Sequence, residues 1–521
     1  VAFLAALYIQ QRSGSRSAEL SGYQDEAAHY ITGLMVRDYL LQGWQQGPPI
    51  PFAEDYYLHY PKVAIGHWPP VYYFVQFVWM AVFPTTISSL LYLQAVLLAA
   101  ISGIMFLPIR SRFGWLAAVT MCVVFLILYR TQVLASEVMA EPLLALFTLL
   151  AAWAIARYFE TGGGRFLVWF VVFVELAAHT KGSGLALIGL PVLLAACLRR
   201  LDEFRKRTFW LAHLAMAVIL VPWQLLTWRM VHNGMDSATI RVMAGQARDF
   251  IPIMAMMFGW PLLIAIACGA YFALTSRKSA DPLLASCAIA AVLTFVLHSV
   301  SPNGAEERRL FMAVPGALIL APAAVWRAFS AWNRPGWAPA ALLALAAISI
   351  LPVLASFHKV SVGYRAVSGW LLGNAEPGQA VLVASDTDGE GMLVSEVGQS
   401  QPRPTMYIVR GIKLLEDCDW NGADCHATVT DPAEAQKVLD SIPVRYVVMD
   451  HFAGRTPRNY VDLLRRTIVA RPDLWTLRDT LPANSAEGGH GEIVIYQRLG
   501  PVAEHVHVWV NLRRMLGRVI Q

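Results

Sequence analysis

Charge is what this sequence has least of. Asp, Glu, Lys and Arg make up 15% of the 521 residues, against about 25% in soluble domains. So low a share excludes an ordinary water-soluble fold for most of the chain. The charge present nearly cancels, at 41 basic and 36 acidic residues for a net +5, and no nucleic-acid partner is expected. Cysteine is also scarce. Cys122, Cys197, Cys268 and Cys287 lie in apolar runs and read as small core residues. Cys418 and Cys425 share a polar loop. No second cysteine pair or spaced histidine pair completes a zinc pattern, so a disulfide in an oxidising compartment is expected there, and no metal site. Internal repeats are missing too, which disfavours a lipid-carrier transporter built from repeated halves.

What the chain has instead is long apolar runs, with 56% hydrophobic residues. A membrane crossing needs about 20 such residues. Runs at 87–109, 115–134, 142–158, 166–178, 185–198, 209–228, 251–274, 283–300, 310–326 and 338–357 qualify or come near. With the apolar segment at 1–9 read as a truncated first span, they predict about eleven crossings. Basic residues mark cytoplasmic turns. With the N-terminus cytoplasmic, Arg110, Arg112, Arg157, Arg165, the cluster 199–207, Arg277, Lys278, Arg327 and Arg334 all fall inside. Asp25, Glu141, Lys181 and Arg308 then share the outer face. The stretches 25–41 and 70–83 are too short to span and predict helices lying in the outer interface.

Near residue 360 the pattern changes to short alternating runs and turn signals. Strands are expected at 381–385, 406–409, 445–449 and 492–498, with helices at 390–397, 432–441 and 460–470. The expected fold is thus an α-helical polytopic membrane protein with a C-terminal soluble α/β domain. The membrane part is 1–358, with a first outer loop at 12–86, and the outer domain is 359–521. This places the chain in the cell (inner) membrane with its C-terminal domain periplasmic or extracellular.

Ionisable groups at membrane depth are costly and mark function. Asp25, with Glu137 and Glu141 near it, offers paired carboxylates for general-base work. Lys181, Arg308 and Arg309 offer cations for an anion such as a phosphate. A phosphate on a long lipid tail is the partner that suits cations at a membrane rim.

The residues that carry a resemblance are Tyr23-Gln24-Asp25-Glu26, Trp68-Pro69-Pro70-Val71-Tyr72-Tyr73, Glu137-Val138-Met139-Ala140-Glu141-Pro142, Thr180-Lys181-Gly182 and Glu307-Arg308-Arg309-Leu310-Phe311. In this order and sidedness the chain resembles the glycosyltransferase C superfamily. Within it, the protein O-mannosyltransferases and the lipid A aminoarabinose transferases are most similar. The resemblance implies transfer of a sugar from a polyprenyl-phosphate donor to a hydroxyl of a glycolipid, glycan or protein on the outer face, with inversion. It implies Asp25, in the pair with Glu26, as the base, and Glu141 as the second acid. Lys181 and Arg309, with Arg308, would meet the donor phosphate. Tyr23, His67 and Glu137 stand as sugar or acceptor contacts. A divalent cation is compatible with this chemistry. Two departures are visible. Relatives often have Asp at the position of Glu141, and the Lys-Pro-Pro of aminoarabinose transferases is Trp68-Pro69-Pro70 here, which leaves Lys62 as the replacement cation. An oligosaccharide transferase or polymerase of the same superfamily is the alternative reading.

Overall fold

The computed structural model describes residues 1–232, 239–276, 281–301, 304–385, 387–401, 403–418, 425–453, 456–485, 489–500 and 507–521. In lipid every backbone polar group must be satisfied within the segment, which forces the apolar runs into helices. Six helices are long and apolar enough to cross a membrane: Ile87–Phe113, Glu141–Thr161, Arg207–Trp228, Pro282–Val300, Glu307–Ala331 and Pro335–Val353. Two bent pairs raise the number to as many as 8. Length and composition therefore support six to eight crossings among the described residues, against the eleven expected.

The shortfall has local causes. The run at 115–134 is broken into Trp115–Ile127 and Tyr129–Ala135 with a 65° bend, because Leu128 leaves helical geometry with ψ 133. The run at 251–274 turns through 112° between Ile240–Phe258 and Trp260–Thr275. Gly259 makes that turn possible. Its φ is +69, and a Cβ there would lie 2.2 Å from the Ser349 carbonyl oxygen. The run at 166–178 forms Gly164–Ala178, and that at 185–198 becomes a tighter segment Gly182–Gly189 followed by Leu190–Cys197. The N-terminal helix Ala2–Ser13 packs on Ile87–Phe113. There the buried Gln10 amide donates to Leu91 O at 2.6 Å and Ala135 O at 2.8 Å.

The stretch between the first helix and Ile87 folds into Gln24–Leu41, Pro49–His59 and Val71–Met80. The first and last match the expected short helices. Pro49–His59 was not anticipated from the sequence, where the stretch falls within the first outer loop. The last is pinned where Val71 N–H donates to His179 O at 2.9 Å.

Among the described residues the C-terminal region forms β1 Ala380–Ala384, β2 Tyr407–Arg410, β3 Glu416–Cys418, β4 Cys425–Ala427, β5 Val444–Phe452, β6 Trp475–Asn484, β7 His490–Arg498, and the short pair β8 Val510–Leu512 and β9 Arg518–Ile520. The main sheet runs β2-β1-β5-β7-β6. β1 is parallel to β2 and β5, while β7 is antiparallel to β5 and β6. The edge strand β6 escaped sequence reading because Arg478, Asp479 and Pro482 interrupt its alternation, which an edge tolerates. β3 and β4 pair as a ribbon, and the expected Cys418–Cys425 disulfide joins them.

This sheet region does not stand apart. One continuous apolar core includes Leu20, Tyr30 and Ile31 of the first loop together with Val381, Leu382 and Val447 of the sheet. Helix Thr387–Ser400 lies on Gln24–Leu41, so close that a Cβ on Gly398 would lie 2.7 Å from Ile31 Cδ1. His59 stacks on Tyr407 at 4.1 Å, and Tyr60 donates to Gln401 Oε1 at 2.8 Å. Lys62 is buried in the same seam. A Cβ on Gly391 would lie 3.3 Å from its Nζ. Burial, then Arg410, push the Lys62 amine down to about 7. Beside it Arg410 Nε donates to Glu390 Oε2 at 2.7 Å, and Tyr460 donates to Glu390 Oε1 at 2.8 Å.

Two stability predictions follow from this seam. Arg410→Met strands the buried Glu390 charge and is expected to cost about 3–5 kcal/mol, read as a lower thermal midpoint, while Arg410→Met with Glu390→Gln recovers most of it. Lys62 has a folded-state pKa of about 7 against 10.5 for a free lysine. The unfolded chain holds that proton more tightly, so the penalty is complete below pH 7 and fades as pH rises toward the free value. Lys62→Met is therefore expected to raise the midpoint more at about pH 6 than at about pH 9.

Candidate active site

Asp25 sits in the first turn of Gln24–Leu41, whose aligned peptide dipoles favour an anion at that end. Glu141 is the first residue of Glu141–Thr161, with Pro142 next to it in the first turn, where a missing N–H costs nothing. Lys181 is in extended conformation just before Gly182–Gly189. Arg308 lies in the short turn Glu307–Leu310 at the start of a crossing helix. Distant in sequence, these residues converge.

Arg308 is at the centre. Its Nη1 donates to Asp25 Oδ2 at 2.7 Å and lies 3.8 Å from Glu141 Oε1. Its Nη2 donates to the Tyr23 hydroxyl at 2.7 Å, and its Nε to Glu306 Oε2 at 2.6 Å. The guanidinium also covers the Tyr23 ring at 4.0 Å. Lys181 Nζ donates to Glu141 Oε1 at 2.7 Å. The result is an alternating row of Lys181, Glu141, Arg308 and Asp25. Arg309 Nη2 donates to Glu306 Oε1 at 3.1 Å, beside this row. Burial acts to raise the Glu306 carboxyl, but Arg308 and Arg309 hold it below the usual range. Burial lifts the Tyr23 phenol to about 12, so at neutral pH it remains an O–H group.

One side of the row is aromatic. His29, one helical turn from Asp25, has its Nδ1 2.9 Å from the Tyr73 hydroxyl and its ring 4.2 Å from Trp68. Burial lowers the His29 imidazole to about 4. It is therefore neutral at physiological pH. His67 meets the edge of Trp68 at 5.3 Å and so adjoins this wall.

Three other expected residues are placed differently. Glu26 is fully buried with both oxygens engaged. It takes Lys359 Nζ at 2.8 and 2.7 Å and the backbone N–H groups of Gly22, Tyr23 and Val138. Consecutive helical residues point about 100° apart, which turns Glu26 into the protein while Asp25 faces Arg308. Lys62, expected at the phosphate, lies under the sheet region with its Nζ 3.5 Å from Gln24 O, next to Asp25, and its charged neighbours are Arg410, Glu390, Asp388 and Asp25. Glu137 is buried behind the row, its Oε2 without a hydrogen-bond partner among the described residues. Burial and then Glu26 hold its carboxyl well above the usual range.

Sequence reading identifies His29 only as an interfacial hydrogen-bonder and passes over Lys359 and His298. The four-residue spacing from Asp25 was the available signal for His29. His298 is buried, its Nε2 has no hydrogen-bond partner among the described residues, and Arg309 and Lys181 lie within electrostatic range. For metal ligation, the Glu416, Cys418 and Cys425 cluster has its sulfurs already joined to each other.

No family model matches the chain, and no curated protein matches it by sequence. Its fold is nevertheless similar to solved structures. ArnT from Cupriavidus metallidurans bound to undecaprenyl phosphate superposes with a TM-score of 0.57 at 14% identity, covering 95% of this chain and 97% of that one. The apo state of the same protein gives 0.58 at 16%, with the same coverage. An oligosaccharyltransferase from Archaeoglobus fulgidus, tethered to an acceptor peptide, gives 0.55 at 13% over 94% of this chain and 73% of that one. The chain thus shares the fold of these structures over 94–95% of its length.

Proposed function

We propose that this protein is an integral membrane glycosyltransferase that moves a sugar from a polyprenyl-phosphate donor to an acceptor hydroxyl at the outer face of the cell membrane. The observation that carries the reading is the row of Lys181, Glu141, Arg308 and Asp25, assembled from four distant segments. An acid and a set of cations side by side are what the reaction needs. The acceptor hydroxyl gives its proton to the Asp25 carboxylate as its oxygen attacks the anomeric carbon. The bond from that carbon to the phosphate oxygen breaks, and the polyprenyl phosphate leaves with the electron pair. Lys181 and Arg309 meet the charge that grows on it, which lowers the barrier where the charge develops. A single displacement inverts the anomeric carbon. Glu141 holds Lys181 and steadies Arg308, which in turn orients Asp25. The undecaprenyl phosphate named for the ArnT structure is the natural probe for the donor site. A divalent ion at Asp25 or Glu141 would compete with Arg308 and Lys181 for the same oxygens, and no step above calls for one.

The acceptor class, whether glycolipid, glycan or protein, is open to a direct assay. The full-length protein in nanodiscs is given a panel of undecaprenyl-phosphate hexoses and pentoses with glycolipid, glycan or peptide acceptors in turn, and release of undecaprenyl phosphate is followed. Asp25→Asn is expected to lower turnover by about 10²–10⁴-fold, the range for a lost general base, with undecaprenyl phosphate still binding. Full turnover in that variant removes Asp25 from the chemistry. Lys181→Ala and Arg309→Ala are each expected to weaken undecaprenyl phosphate binding by about tenfold or more, the value of one charge-assisted hydrogen bond. Unchanged binding in both contradicts the phosphate assignment.

A further inference from the structure

The turns that carry the two acids are joined by one buried ammonium. Lys359 follows the crossing helix Pro335–Val353 and precedes helix Tyr364–Asn374 of the sheet region. Its Nζ holds both Glu26 oxygens and also reaches Ser136 O at 3.3 Å. Its own backbone N–H donates to Ser13 O at 2.7 Å. Glu26 in turn binds Val138 N–H at 3.0 Å and Gly22 N–H at 2.9 Å. The end of the first helix, the turn before Asp25 and the turn before Glu141 therefore meet on a single residue and its Glu26 partner. Lys359 and Glu26 are 2% and 0% exposed as side chains.

A second set of bonds runs alongside. Glu19, fully buried, accepts from the Ser361 hydroxyl at 2.9 Å and from the backbone N–H groups of Val362, Gly363 and Arg365 at 2.8, 3.0 and 3.2 Å. Ser21 donates to Val360 O at 3.1 Å, and Arg365 to Ser17 O at 2.8 Å. The segment 359–365 thus lies against 17–26 along its whole length.

The first N–H groups of a helix have no partner within it, so the turn bearing Asp25 is held by what caps it. Glu26 does that capping. A buried carboxylate keeps its place only while a cation compensates it, and Lys359 is that cation. We infer that Lys359 is a positioning residue for the candidate site: through Glu26 it fixes the Asp25 turn against the Glu141 turn, so that seating the C-terminal sheet region assembles the acid–cation row. The inference rests on the proposal that Asp25 and Glu141 belong to the active site.

The test uses full-length protein in nanodiscs with Lys359→Met, Lys359→Arg and the double variant Glu26→Gln with Lys359→Met. Amide hydrogen exchange reads the turns directly. Lys359→Met is expected to speed exchange in 19–26 and 136–141 by about tenfold or more, with β1 and β5 unchanged. Turnover of the undecaprenyl-phosphate sugar panel is expected to fall about 100-fold with donor KM nearly constant, the usual cost of a misplaced reacting group. Lys359→Arg is expected to restore most of both. Should Lys359→Met fail to fold, the double variant strands no charge and is expected to show the same two changes. Wild-type exchange in the turns of the Met or double variant overturns the inference, as does an equal rise across β1 and β5. If the wild type turns over no donor, the functional proposal fails, and the exchange data alone decide the role of Lys359.

Discussion

Everything at the candidate site depends on Arg308 lying between two carboxylates. Asp25 and Glu141 would repel each other and resist burial without it. With Lys181 on the far side of Glu141, the charges alternate along the row. Alternation is what makes so many buried ions tolerable near a membrane, since each desolvated charge has an opposite neighbour. The surrounding architecture supplies the segments for that row. Helix starts bring Asp25 and Glu141, a turn between short helices brings Lys181, and the head of a crossing helix brings Arg308.

Two adjacent acids show how position along a helix decides a role. Asp25 and Glu26 are equivalent in the sequence, and nothing in their spacing separates them. In the fold, one faces Arg308 and the other turns inward to cap its own helix and pair with Lys359. Lys359 could not have been singled out beforehand. It stands between an apolar run and a polar region, where a lysine reads as a membrane-edge anchor. Its partner is 333 residues away in the sequence. Lys62, with its Nζ 3.5 Å from Gln24 O beside Asp25, owes its burial to a contact of the same long-range kind. Its proximity to Trp68-Pro69-Pro70 in the chain made it a plausible phosphate contact, but the sheet region covers it.

The charge pattern was more informative than the helix count. Placing basic turns on one side put Asp25, Glu141, Lys181 and Arg308 on the other, and these four meet. Run length was a poorer guide, because a span such as 251–274 contains a glycine whose backbone conformation reverses the chain. The parallel strands were legible as short buried apolar runs, as in β1, where every residue is buried. The edge strand β6 was not, since its partly exposed face carries no clean alternation. Nor does the sequence reveal that the sheet and the first loop share one core, which is a matter of surfaces meeting across hundreds of residues.

The central claim is that Lys181 of this row and Arg309 beside it receive a lipid phosphate near Asp25. A cryo-electron microscopy structure of the full chain with undecaprenyl phosphate tests it most directly. The account predicts phosphate oxygens within hydrogen-bond distance of Lys181 Nζ and the Arg309 guanidinium, with Asp25 facing the space where a sugar would hang. A phosphate bound elsewhere, with Lys181 still on Glu141 and Arg309 still on Glu306, would contradict it.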